Sequence, residues 1–287
     1  MGKMVAYTSD LHGNMVQYQK LVDYANKERI DTIIIGGDIA PKGFFRENFI
    51  SGQREFLQAL PGFFQQQQAR VFIMMGNDDC AANMDVLLAA ESEKFQLIHG
   101  KKLPVGNGFD ILGYSFVPIT PFGIKDWEKY DFSNPLQAYK QKYRELKDSN
   151  SKLDGIKSSQ EGWKEFSFTP EMEKKDSIQK DLRKLPFSGD VSKTLIVFHS
   201  PPYDSLLDLT LGARHFGSMA IRDFIEKKKP YLTLHGHIHE TVHVSGQFSQ
   251  KIGDTLCISS GNSDRGSDLA LIVFDIENPS DAKRLII

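Results

Sequence analysis

Seven side chains, Asp10, His12, Asp38, Asn77, His199, His237 and His239, offer oxygen or imidazole nitrogen donors, and the set holds no thiolate. Carboxylate, amide and imidazole together favour Mn, Fe, Co, Ni or Zn at a reactive centre over a structural zinc site. Asp10 and His12 stand two residues apart, as do His237 and His239, and side chains two apart on an extended segment point the same way. Seven ligands exceed the needs of one ion and suit two ions sharing a carboxylate. Two cations about 3.5–4 Å apart can hold a bridging hydroxide, lower the pKa of its parent water and clamp a phosphoryl group during in-line displacement. That is hydrolysis without a protein nucleophile. A lone strand histidine is more often a satisfied core residue, so the weight rests on the donors as a set.

Each donor follows an apolar run. Thr32-Ile33-Ile34-Ile35-Gly36-Gly37-Asp38 reads as a buried strand that turns sharply at its tip. Runs ending at Asp10-Leu11-His12, Gly76-Asn77-Asp78, His199 and Gly236-His237-Ile238-His239 repeat the pattern, and sites in such sheets sit at strand tips. The spacing of Met15, Tyr18, Leu21, Val22 and Ala25 predicts a helix over 14–29, and Phe56, Leu57 and Leu60 predict another within 44–68. Strand, helix and strand in alternation imply a mainly parallel sheet and an α/β protein. Gly106-Asn107-Gly108 marks a hairpin.

Segment 119–190 breaks the alternation and reads as a helical insertion, a lid or an outrigger. A helix with Pro135 in its first turn, a polar stretch over 149–162, and a helix capped by Thr169 and running to about Leu185 are expected there. Lys125, Asp126 and Trp127 open this segment as candidates to line the cleft. After it, Ser218 caps a helix that ends at Lys227-Lys228-Lys229, where positive charge suits a helix C-terminus. Strands over 254–259 and 269–275 close the chain, and Asp79 reads as a helix cap.

Taken together, Asp10-x-His12, Gly37-Asp38, Gly76-Asn77, His199-Ser-Pro-Pro and Gly236-His237-x-His239 resemble the five blocks of the calcineurin-like metallophosphoesterases, and most of all the small prokaryotic Icc-type phosphoesterases. The resemblance implies a four-layer αββα sandwich of two mixed β-sheets flanked by helices. It also implies that Asp10, His12 and His239 hold one metal, that Asn77, His199 and His237 hold the other, and that Asp38 bridges them. One position departs from the pattern. The family usually has His after Gly-Asn, to protonate or stabilise the leaving oxygen, where this chain has Asp78. General acid help is often worth about 10²–10⁴ in rate, so poor leaving groups should suffer most. Members lacking that His hydrolyse diesters or pyrophosphate bonds. Asp78 then acts as an acid or as a partner that orients a ligand. No Tyr lies three residues beyond Asp38, as purple acid phosphatases require, and no Asp-Arg-Gly follows it, as in Ser/Thr protein phosphatases. Arg214 and His215 are candidate contacts to substrate phosphate.

Composition bounds the rest. The chain has 287 residues, 40% hydrophobic and 25% charged, with a net charge of -2, which suits one large domain over 1–287 with an insertion. That charge gives no global pull toward nucleic acid or a membrane surface. The first apolar run stops at Asp10, too short for a signal peptide. Two cysteines, Cys80 and Cys257, fit a reducing cytoplasm. The expected function is a dinuclear metal-dependent phosphoesterase acting on a small phosphodiester or nucleotide-type substrate, with manganese foremost and Fe, Zn, Co or Ni as substitutes. The alternatives are a pyrophosphatase-type hydrolase of a nucleotide-linked metabolite and a metal-bound binding scaffold with negligible turnover.

Overall fold

The computed structural model describes residues 3–43, 48–135, 137–150, 152–184 and 186–287. In chain order the first elements are β1 (Met4–Thr8), α1 (Met15–Lys27), β2 (Thr32–Gly36), α2 (Phe49–Phe63), β3 (Arg70–Met74), α3 (Met84–Ala89) and β4 (Phe95–Leu97). A hairpin follows, β5 (Lys102–Gly106) and β6 (Phe109–Tyr114), then β7 (Val117–Pro118) and β8 (Glu128–Lys129). Segment 119–190 continues with α4 (Lys140–Asn150), β9 (Asp154–Ser159), β10 (Gly162–Ser167), α5 (Pro170–Lys175) and α6 (Ile178–Asp181). The remainder is β11 (Thr194–Phe198), α7 (Met219–Lys228), β12 (Leu232–His235), α8 (Thr241–Ser245), β13 (Ser249–Ile252), β14 (Thr255–Ser259), β15 (Ala270–Asp275) and β16 (Asn278–Ile286).

Two six-stranded sheets form, in the orders β16-β15-β1-β2-β3-β4 and β13-β14-β12-β11-β6-β5. Strands β1 to β4 run parallel, and so do β6, β11, β12 and β14, with antiparallel strands at the margins. The central strands are apolar on both faces because both are covered. Val5, Tyr7 and Ile34 meet Leu195, Val197 and Leu232 in the core between the sheets. The alternate residues Ala6, Ile33 and Ile35 pack under α1 and α2, and Ile196 and Phe198 pack under α7. Period-two alternation thus feeds two cores from one strand, which gives the αββα layers that the resemblance implied.

Several sequence expectations hold. The hairpin turns on Asn107 and Gly108, at φ 51° and 77°, the paired left-handed residues that such a two-residue loop demands. Ser218 caps α7 by accepting from Ile221 N–H at 3.0 Å, and Thr169 caps α5.

Others need correction. Met15 is 43% exposed, and the buried face of α1 begins at Gln17 and Tyr18. The polar stretch 149–162 leads into a β-hairpin, so segment 119–190 is only partly helical. Helix α4 starts at Lys140 rather than around Pro135, and Leu136 between them lies outside the described residues. The helix beginning at Pro170 stops at Lys175, a new one capped by Ser177 follows, and the expected end at Leu185 lies outside the described residues. So does Phe44, where the second predicted helix would open. Polarity hid the last strand, β16, whose burial is mixed along its length.

Candidate metal centre

Every predicted ligand sits just past the C-terminal end of a parallel strand. Asp10 and His12 follow β1, Asp38 follows β2, Asn77 follows β3, His199 follows β11, and His237 and His239 follow β12. The two sheets stack so that these tips converge. Asp10, His12 and His237 are not on extended backbone, as the two-residue spacing suggested. Their φ angles are 57°, 43° and 70°, and Asp38 has 51°, all in the left-handed region that non-glycine residues rarely enter. Backbone bonds between the loops hold them there: Asp10 N–H to Gly37 O at 3.0 Å and His12 N–H to Asp38 O at 2.8 Å.

Asp10, His12, Asp38 and His239 each present a ligand atom, and these atoms all lie within 4.8 Å of one another. His12 Nε2 stands 3.3 Å from His239 Nε2 and 3.6 Å from Asp38 Oδ2, and His239 Nε2 is 3.6 Å from Asp10 Oδ1. On the other side of Asp38, the same Oδ2 is 3.4 Å from His199 Nε2, which is 3.1 Å from Asn77 Oδ1. The His237 ring centroid lies 5.4 Å from that of His199, and its backbone N–H donates to Asp10 Oδ1 at 3.0 Å.

Polar partners aim these donors. His199 Nδ1 faces Gly36 O at 2.9 Å, which leaves Nε2 for the centre. Asn77 Nδ2 donates to Asp78 Oδ1 at 2.9 Å, so its carbonyl oxygen turns toward His199. Gly76 has no room for a side chain, because a Cβ there would meet Asp38 Oδ1 and sit 2.7 Å from His199 Cε1.

The donors fit a divalent cation. Asp10, His12, Asp38, Asn77 and His199 are buried, and His237 and His239 are half-buried; His12 Nδ1 is a buried nitrogen with no hydrogen-bond partner among the described residues. Electrostatics agree. Burial opposes charge on both Asp38 and His199, yet each holds the other ionised, with Asp38 well below the usual carboxylate range and His199 pushed up to about 10. Burial and the neighbouring His199 charge pull His237 down to about 4. One carboxylate held between imidazoles takes the place that a shared ligand needs. A cation there supplies the positive charge that protons on the imidazoles otherwise provide.

Asp78 is not a bystander. Its backbone N–H donates to Asp38 Oδ1 at 2.8 Å, and its carboxylate stands 3.8 Å from His12 Nδ1. Burial, with the Asp38 and Asp79 charges, pushes its acid up. Asp79 is no helix cap. It is fully buried and accepts from Ala40 N–H at 2.8 Å, Ile39 N–H at 3.1 Å and Gly76 N–H at 2.8 Å, tying the Asp38 loop to the Asn77 loop.

His215 is taken by the buried Asp208, 2.7 Å from Nδ1, while Arg214 lies over the Phe216 ring at 5.6 Å. Lys125, Asp126 and Trp127 turn inward rather than toward a cleft: Lys125 pairs with Glu128, Asp126 accepts from Ala81 N–H at 2.8 Å, and Trp127 Nε1 donates to Asp79 O at 2.9 Å.

Several supporting residues carried no signal in the sequence. Asn262 donates to Ser9 O, Asp10 O and Gln17 Oε1 and accepts from Ala270 N–H. Ser9 Oγ donates to Asp10 Oδ2 at 2.5 Å. Lys42 bonds Asp264 at 2.8 Å, and Asp264 approaches His239 Nδ1 at 4.0 Å. Most of these contacts join the two ends of the chain, so no local pattern announces them.

Among the described residues no helix is long and apolar enough to cross a membrane. No curated protein matches the chain. Solved structures do resemble it. One superposes with a TM-score of 0.61 at 13% identity over 100% of this chain and 99% of its own. TT1561 of Thermus thermophilus superposes with a TM-score of 0.58 at 14% identity over 99% of both chains. At such identity these likenesses speak for the fold alone. The sequence profile described as calcineurin-like phosphoesterase matches residues 4–241, which span all seven donors, and the chain belongs to that family.

Proposed function

We propose that the chain is a dinuclear, metal-dependent phosphodiesterase acting on a small phosphodiester or nucleotide-type substrate in the cytoplasm. One observation carries the reading: Asp38 Oδ2 stands 3.6 Å from His12 and 3.4 Å from His199, between two groups of ligands. Asp10, His12 and His239 would hold one ion, Asn77, His199 and His237 the other, and Asp38 both. Such ions, manganese foremost, supply Lewis acidity and an activated water. The chain's own part is to fix the donors, exclude bulk water and bring the phosphorus to them. Asp78 bonds Asn77 and faces His12, which supports its role as an orienting partner and leaves leaving-group protonation weak. A diester with a good leaving group suffers least from that. Arg214 and His215 remain candidates to meet the substrate's phosphate, although Asp208 already orients His215.

The test is hydrolysis of bis-p-nitrophenyl phosphate and p-nitrophenyl phosphate by metal-stripped protein refilled with Mn²⁺, beside Asp38→Ala. Metal-dependent turnover that prefers the diester and disappears in the variant supports the reading. Equal inactivity of both proteins with metal bound overturns it in favour of a binding scaffold.

A further inference from the structure

A cavity of about 210 Å³ opens beside His237. Its walls come from two distant stretches. Pro118, Pro121 and Phe122 stand where segment 119–190 begins, while Phe216 and Glu240 come from the loops around β12 and α7. Phe122 is 50% exposed, so its ring lacks the cover that an occupant would supply. The volume is below the roughly 300–1,000 Å³ of a site for a whole ligand. It suits one ring system whose remainder lies elsewhere, and His237 is shared between this cavity and the metal centre.

Charge narrows the occupant. Among the described residues no lysine or arginine lines the cavity, and Glu240 brings a carboxylate. One of its oxygens takes Leu211 N–H at 3.4 Å, and a carboxylate keeps further acceptor capacity. The Glu240 carboxylate on the lining disfavours a second phosphate there, while the Arg214 guanidinium lies over the Phe216 ring at 5.6 Å. Aromatic and proline walls favour a flat apolar face.

We infer that this cavity receives a flat, uncharged aromatic ring carried by the phosphoester, as a nucleobase is, with Phe122 and Phe216 as its apolar walls. The inference rests on the phosphoesterase reading and names the substrate class of that site. It also gives the beginning of segment 119–190 a place at the centre.

Binding tests it without turnover. Calorimetric titration of Mn²⁺-loaded protein with phenylphosphonate and methylphosphonate compares two ligands with one phosphorus group, and 4-carboxyphenylphosphonate adds a charge to the ring. The phenyl ligand is expected to bind about tenfold more tightly than the methyl one, a gain of about 1.4 kcal/mol. The charged ring should lose that advantage. Phe122→Ala should cut the phenyl-to-methyl ratio about threefold or more at unchanged thermal stability. Equal affinity for phenyl and methyl, a ratio indifferent to Phe122→Ala, or a charged ring bound as well as the neutral one overturns the inference. Bis-p-nitrophenyl phosphate turnover, run alongside, separates the two claims. A persistent ratio without hydrolysis sinks the esterase reading alone, and hydrolysis without a ratio sinks the cavity assignment alone.

Discussion

Lys125→Met should destabilise the protein far more in mild alkali than in mild acid. Lys125 Nζ is buried, 2.8 Å from Glu128 Oε2 and 2.9 Å from Thr120 O. Burial pushes the Glu128 acid up from 4.5 to about 7, against the pull of the Lys125 charge and the Thr120 bonds. A folded pKa above the unfolded one means that the folded chain holds the extra proton. The stability Glu128 contributes is therefore fully present below the unfolded value and is lost as pH rises through the folded one. Removing the ammonium raises that acid further and extends the loss upward. At about pH 5 Glu128 is neutral with or without Lys125, and the substitution costs little beyond the hydrogen bonds from Nζ, about 1 kcal/mol. At about pH 8.5 the variant must bury the Glu128 carboxylate unpaired or protonate it, and since protonation from a folded value of about 7 caps that penalty at about 2 kcal/mol, the substitution costs about 3 kcal/mol in all. Thermal unfolding followed by circular dichroism at both pH values measures the difference. Lys125→Met with Glu128→Leu removes both charges and should regain most of the alkaline loss, since an apolar pair of similar volume often replaces a buried ion pair without penalty. An equal loss at the two pH values, or a double variant as weak as the single one in alkali, would refute the reasoning.

Other outcomes follow from the centre. His199 is protonated in the metal-free chain, its acid pushed up to about 10, chiefly by Asp38 against burial, so metal uptake near neutral pH should release a proton. Calorimetry in buffers of different ionisation enthalpy reads that proton directly, and a metal-binding heat independent of buffer contradicts it. Asp78→Ala frees the Asn77 amide that it now orients, and metal affinity should fall about 10–100-fold; an unchanged Mn²⁺ affinity removes Asp78 from that role. Asn262→Ala deletes the buried donor to Ser9 O and Asp10 O and should cost about 1–3 kcal/mol together with metal affinity. Stability lost at full metal affinity would show that Asn262 supports the fold only.

The five strand tips were legible because apolar runs of strand length, each closed by a polar donor, are local patterns. Val5, Ile34 and Leu195 feed one core and their neighbours another, so continuous hydrophobicity marks these strands without any long-range knowledge. What the sequence misjudged depends on contacts across the chain. Asp79 looks like a cap because Ala81–Asn83 forms a short helical turn after it, yet its oxygens go to Ile39, Ala40 and Gly76. Met15 matches the helical period but falls on the exposed side of α1, while the polar Gln17 turns inward to bond Ser263 O and Asp268 O at 2.7 Å. The hairpin β9–β10 carries few large apolar residues and reads as a polar loop, because its pairing is between strands rather than into a core. Extended backbone at Asp10 and His237 was the natural expectation from spacing. Only the crossing loops reveal that both are left-handed.

That left-handed geometry connects fold to chemistry. A non-glycine residue held in a sparsely populated region costs about 1–3 kcal/mol and persists only where its surroundings over-determine it. Four of the donors, Asp10, His12, Asp38 and His237, are so held, and each is pinned by a bond that another loop supplies: Gly37 O to Asp10, Asp38 O to His12, Asp79 beside Asp38 through Ile39, and the Asp10 carboxylate to His237. The restraints close into a circuit through His199, whose Nε2 stands 3.1 Å from Asn77 Oδ1 and whose backbone oxygen accepts from Gly236 N–H at 3.0 Å. Segment 119–190 joins the circuit from outside, with Trp127 Nε1 on Asp79 O and Asp126 on Ala81 N–H. Displacing any one loop therefore loosens several donors together, and a cation bound at the centre should stiffen loops from both sheets and segment 119–190 as one unit.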